Sequence, residues 1–120
     1  MRVNIQNRSV VYAPAPVLVP EGIHRADLVD AYPVTSPFGA RVALVFRLLD
    51  GPYAGHDLMQ SAAASRSPRG KLAELLRGFG GTEATVEAAQ RLIGRRGHIA
   101  VRHETGHGGR TYAAVTQTFT

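Results

Sequence analysis

Six arginines and four aromatic residues carry the chemistry this chain could do. Arg41, Arg47, Arg95, Arg96, Arg102 and Arg110 fall in or beside segments with strand-like alternation, and Tyr32, Phe38, Tyr53 and Tyr112 are interleaved with them. A guanidinium is a planar fork of donors that matches phosphate oxygens, and a flat ring offers a face on which a nucleobase can stack. Together they suit a single-stranded polynucleotide, with cations tracking phosphates and rings taking bases at ~1–3 kcal/mol per stacked base. Tyr112 follows Arg110 by two residues and shares an outward strand face with Thr116. Phe38 lies in a Pro-Phe-Gly loop, where an aromatic has no packing reason to be. Tyr32, next to Pro33, could equally plug a barrel end, and Tyr53 in a Gly-Pro-Tyr turn could cover the core from outside. His98 and His103 are weaker stacking candidates.

Other chemistry finds less support. His98, His103 and His107 are close in sequence, but His98 and His103 have opposite strand parity and His107 sits on a glycine loop, so no metal geometry is fixed. The pairs His56-Asp57 and His103-Glu104 are strand neighbours that face apart, which gives no general base with its orienting carboxylate. The stretch Gly106-His107-Gly108-Gly109-Arg110 joins two strands, whereas phosphate loops of the nucleotide-binding type open a helix. Ser61, Ser65 and Ser67 lie outside any nucleophile elbow. The reading is a non-enzyme with no catalytic residue, no metal and no cofactor.

The charge balance agrees with an anionic partner. Lys and Arg total 14 against 9 acids, a formal +5, and Lys71 is the one lysine. An Arg-rich, Ala-rich composition also follows from a GC-rich genome, so charge supports the reading without deciding it. With 120 residues, 44% of them hydrophobic, the chain can bury one core but not two. There is no cysteine, which excludes a disulfide framework and thiolate chemistry. Apolar runs such as residues 42–46 are too short to cross a bilayer, and the N-terminus lacks the apolar stretch of a signal peptide. A soluble cytoplasmic protein with no membrane partner is expected.

The elements that must position these residues follow from periodicity and punctuation. Residues 1–21 read as a partly flexible arm, because Pro14, Pro16 and Pro20 remove amide donors; residues 22–120 read as the folded domain. Residues 22–32 suggest a curved strand with a bulge near Leu28-Val29, broken by Pro33 and the Ser36-Pro37-Phe38-Gly39 cluster. Residues 41–49 are the clearest strand, with Val42, Leu44, Phe46 and Leu48 inward and Arg41, Ala43, Val45 and Arg47 outward. A third strand is expected over 56–62. A helix capped by Ser67, with Pro68 in its first turn, is expected to reach the glycines after Arg77, and a second to run from Thr85 to Gly94. A fourth strand, 95–103, and a fifth, 110–119, form a closing hairpin, with Ala113, Val115 and Phe119 on the core face.

This layout resembles the OB-fold, a small Greek-key barrel whose sheet face and loops bind oligonucleotides. Residues 22–119 are also similar to small phage and plasmid single-stranded DNA-binding proteins. The likeness rests on the glycine-initiated first strand, on Phe46-Arg47-Leu48-Leu49-Asp50-Gly51-Pro52-Tyr53-Ala54-Gly55, and on Leu92-Ile93-Gly94-Arg95-Arg96-Gly97-His98-Ile99-Ala100-Val101. It implies a mainly β fold, a five-stranded OB-fold barrel with one or two short helices between strands three and four. It also implies non-catalytic binding of single-stranded DNA in replication, recombination or repair, by a homo-oligomer. RNA is not distinguished from DNA, because the sugar hydroxyl leaves no mark on the sequence. The competing reading is a protein-assembly module of a phage or mobile element on the same barrel, motivated by the Pro-rich arm and the few aromatics.

Overall fold

The computed structural model describes residues 18–120, so most of the expected arm lies outside the described residues. Five strands and two short helices follow one another as β1 (Gly22–Ser36), β2 (Gly39–Leu48), β3 (Asp57–Ala63), α1 (Lys71–Arg77), α2 (Val86–Arg91), β4 (Arg96–Thr105) and β5 (Thr111–Phe119). The strands form one antiparallel sheet in the order β3-β2-β1-β4-β5. The fold is thus mainly β, with both helices between the third and fourth strands.

The strand faces follow the two-residue period where it is unbroken. Val42, Leu44, Phe46 and Leu48 of β2 are buried against Ala26, Leu28 and Ala31 of β1 and Ile99 and Val101 of β4. Leu72, Leu75, Leu76 and Phe79 cover them from the helical side, with the Phe46 and Phe79 rings 5.4 Å apart. The bulge expected in β1 is present, between Leu28 and Asp30. It reverses the phase, so Leu28 and Ala31 both point inward.

Three local expectations are corrected. Pro33 does not break β1, which runs on to Ser36 and ends at the Ser36-Pro37-Phe38-Gly39 cluster. Two residues earlier, Ala31 turns its carbonyl away from β2 to accept from Gln90 Nε2 at 3.1 Å. By alternation Pro33 also faces that side, where β1 has already parted from β4, so its missing N–H breaks no ladder bond. Ser67 does not cap α1. Its hydroxyl accepts from Arg69 N and its carbonyl from Gly70 N, a turn that delays the helix until Lys71, whereas α2 starts where expected, just after Thr85, whose Oγ1 caps it by accepting from Ala88 N at 3.0 Å. In β5, one residue more than in β4 fits between the pairs Ala100–Gln117 and Val101–Val115. That bulge turns Thr118 inward and leaves Phe119, expected in the core, 42% exposed.

The sheet is not closed into a barrel. Among the described residues no ladder joins β3 to β5, and both stand as edges. They nevertheless approach: Gln60 Oε1, on β3, accepts from Val115 N of β5 at 3.0 Å. Helix α1 packs on both strands beside this point. Lys71 Nζ donates to Thr116 O, and the Thr118 hydroxyl donates to Leu75 O at 2.8 Å while accepting from Gly78 N at 2.9 Å. Side chains therefore satisfy edge groups of β5 that a closing strand would otherwise pair.

At the other end of the covered region, Val19 is 1% exposed and joins the core. Its carbonyl meets His103 Nε2 at 2.8 Å, and Glu21 Oε2 accepts from His103 N at 2.8 Å. The residues just before β1 are thereby tied to β4, and the His103 ring is turned to them.

Candidate nucleic-acid interface

The outward face of the sheet collects most of the expected residues, yet the register divides them. Residues directly opposite on paired strands share a face. Ser36 pairs with Gly39 at one end of β1, and Gly22 pairs with Val101 at the other. The β1–β2 hairpin and the β4–β5 hairpin therefore lie beyond opposite ends of β1.

At the β1–β2 end stand Tyr32, Phe38 and Arg41. Phe38 is 97% exposed at the hairpin tip, where Ser36 Oγ accepts from its amide. Tyr32 is 39% exposed opposite Ala43, and Val34 and Met59 add apolar surface to the same face. Arg41 lies across β3, its Nε donating to Ser61 Oγ and its Nη2 to Ser61 O, each at 3.0 Å. Both of these partners are neutral, so among the described residues no carboxylate offsets the Arg41 charge while its stem is held.

Arg47 and Arg96 are differently placed. Asp57 of β3, Arg47 of β2, Asp27 of β1 and Arg96 of β4 form one row of alternating charge across four strands. Arg47 is bidentate to Asp57 at 2.8 and 3.0 Å, and Arg96 reaches Asp27 at 2.9 Å. Beside the row, Arg25 is bidentate to Asp50 at 2.7 and 3.0 Å. Hydrogen bonding to these carboxylates raises Arg25, Arg47 and Arg96 further above their already high range, and the Arg25 bond holds Asp50 below the usual carboxylate range. The middle of the face is charged yet neutral in sum. A phosphate approaching it must compete with a fitted carboxylate for each fork.

The remaining expected residues scatter. Arg102 and Tyr112 share the outward face near the β4–β5 hairpin, with Arg110 exposed just before β5 and positive-φ Gly108 and Gly109 in the turn. Arg102 is 3.8 Å from Glu21, and the Tyr112 hydroxyl donates to Glu104 Oε1 at 3.2 Å, which holds the phenol above its usual range. Arg95 leaves the sheet face altogether and points its Nη1 at Phe79 O beside Gly80. Tyr53 packs against the core from outside and forms one wall of an open hollow of about 340 Å³ with Ile23, Arg25, Asp50 and His98.

Sequence reasoning missed the aspartates. Asp27, Asp50 and Asp57 decide which arginines are charge-compensated, and only the cross-strand register brings them to their partners. It also passed over Arg66 and Arg69, because they precede a helix rather than lie in a strand. The chain matches no protein-family model, and none of the curated proteins matches it either.

Proposed function

We propose that this domain is a non-catalytic binder of single-stranded DNA, built on the OB-fold plan and acting where strands are unpaired, in replication, recombination or repair. The observation that carries the reading is the meeting, at one end of the sheet, of an almost fully exposed Phe38, a partly exposed Tyr32 and Arg41, which no carboxylate among the described residues compensates. An aromatic so exposed loses nothing by stacking on a base and gains the burial of its own apolar surface. The strand order supports the plan, since β3-β2-β1-β4-β5 is the order an OB barrel has when its β3–β5 seam is left open.

The test is titration of a fluorescent oligothymidine at several salt concentrations. Affinity should fall as salt rises, and Phe38→Ala should weaken binding about 5- to 150-fold, the equivalent of ~1–3 kcal/mol for one stacked base, without changing the melting temperature. No binding at low salt refutes the proposal. An oligouridine of equal length tells whether the sugar is read.

A second reading, assembly through the same face, draws on the neutral ion row and on exposed Ile23, Met59 and Val34. It predicts a mass above the monomer that falls on Met59→Lys, whether or not oligonucleotide is present. A DNA-binding homo-oligomer would instead align several short sites along one strand.

A further inference from the structure

We infer that the phosphates of a bound strand leave the sheet at the β1–β2 end and run along a cationic groove between the β3–α1 loop and the α1–α2 loop. The inference rests on the functional reading above and assigns the groove to the phosphodiester backbone.

The argument begins with a charge count. Six ion pairs engage Arg25, Arg47, Arg91, Arg96, Arg102 and Lys71 with carboxylates. Among the described residues, the cations left without a carboxylate are Arg41, Arg66, Arg69, Arg77, Arg95 and Arg110. Four of these six, Arg41, Arg66, Arg69 and Arg77, border the loop of residues 64–70. The cations without a carboxylate partner are therefore concentrated at one place, although the sequence spreads its arginines widely.

That place adjoins the exposed rings. Arg41 pairs with Ala63, and Ala64 N donates to Ala40 O at 3.0 Å, so the loop starts beside the β1–β2 hairpin that carries Phe38. Beyond it, two adjoining hollows of about 230 and 320 Å³ share Pro68, Ala73, Thr82 and Glu83 and make one groove. Arg66 lines the first hollow and Arg77 the second. Arg69 is exposed on the same loop.

The loop is held in shape without using the guanidinium groups of Arg66 and Arg69. Ser65 Oγ accepts from Ser67 N at 3.3 Å, Ser67 Oγ from Arg69 N at 3.2 Å, and Arg77 Nη2 donates to Pro68 O. Among the described residues the Arg66 and Arg69 guanidinium groups have no partner, so an incoming phosphate displaces nothing from them. Glu83, the one acid in the groove, is occupied by Arg91 at 3.4 Å. The ion row on the sheet offers the opposite case, since every fork there already holds a carboxylate. Ordered donors with free charge are what a phosphodiester chain requires, and each neutralised phosphate releases counterions.

The experiment is oligothymidine binding by the whole chain as a function of salt, with the double variant Arg66→Gln/Arg69→Gln. Both side chains are exposed and bond nothing described, so the circular dichroism and melting temperature should match the native protein. Loss of two phosphate contacts should flatten the slope of log affinity against log salt by about 1.4, at ~0.7 per phosphate on a single strand. Arg25→Gln, which removes a guanidinium already held by Asp50, should leave the slope unchanged. A native slope in the double variant, or an equal loss in Arg25→Gln, overturns the groove while the functional reading stands. Absence of binding by the native protein overturns both.

Discussion

Replacing Gly78 by alanine tests the packing of α1 against the sheet, because local and tertiary effects have opposite signs there. Gly78 has φ −64 and ψ −13, a conformation any residue adopts. On local grounds alanine should therefore stabilise the chain by about 0.4–1 kcal/mol, through the smaller entropy of its unfolded state. In the folded protein, however, its Cβ would lie 2.3 Å from Phe119 N and 2.4 Å from Thr118 Cβ. Both neighbours are held in the strand, so α1 must withdraw by about 1 Å to restore ordinary contact. Withdrawal stretches the bonds of the Thr118 hydroxyl to Gly78 N and Leu75 O, at about 1 kcal/mol each, and adds an overpacking cost of roughly 1–3 kcal/mol. After the local gain is subtracted, a net destabilisation of about 2–4 kcal/mol remains. Urea unfolding followed by circular dichroism should show a lower midpoint at unchanged slope, and the melting temperature should fall by roughly 10 °C or more. An alanine variant as stable as the native protein, or more so, would refute the close approach of α1 to β5.

Four further outcomes follow. Thr118→Val keeps the shape of the side chain but removes the hydroxyl, and should cost about 1–3 kcal/mol in the same urea assay, less than additively with Gly78→Ala. Gln60→Leu should speed amide hydrogen exchange at Val115 more than at Val101, since the glutamine is what bridges the open edge at that amide. Glu104→Gln should lower the Tyr112 titration midpoint read by ultraviolet absorbance, because the carboxylate that keeps the phenol protonated is gone. For acid stability the sign follows from Asp50 and Glu21, whose folded pKa values lie below those of the unfolded chain, about 3.9 and 4.3 for ordinary Asp and Glu. Their contribution is complete above those values and is lost as pH falls through the folded ones, so Arg25→Gln should make the acid limb of a stability-against-pH curve shallower.

The amino-acid sequence by itself determined whatever depends on neighbours along the chain. The alternation of 42–48 set the inward face of β2, the Leu28-Val29 phase change set the β1 bulge, and Thr85 set the start of α2. It also set the order of five strands with helices after the third. Each of these is a local energy, fixed by backbone geometry and side-chain period within a few residues.

Tertiary structure decided whatever depends on register. That Arg47 meets Asp57 and Arg96 meets Asp27 requires residues 10 and 69 positions apart to fall opposite one another. The β5 bulge exchanged Phe119 for Thr118 in the core, because Thr118 satisfies the end of α1, a partner no strand pattern encodes. Pro33 stayed in β1 because β4 had already diverged from it. The candidate interface divided for the same reason: the sequence distributes its cations, but long-range pairing decides which of them meet an acidic neighbour and which do not.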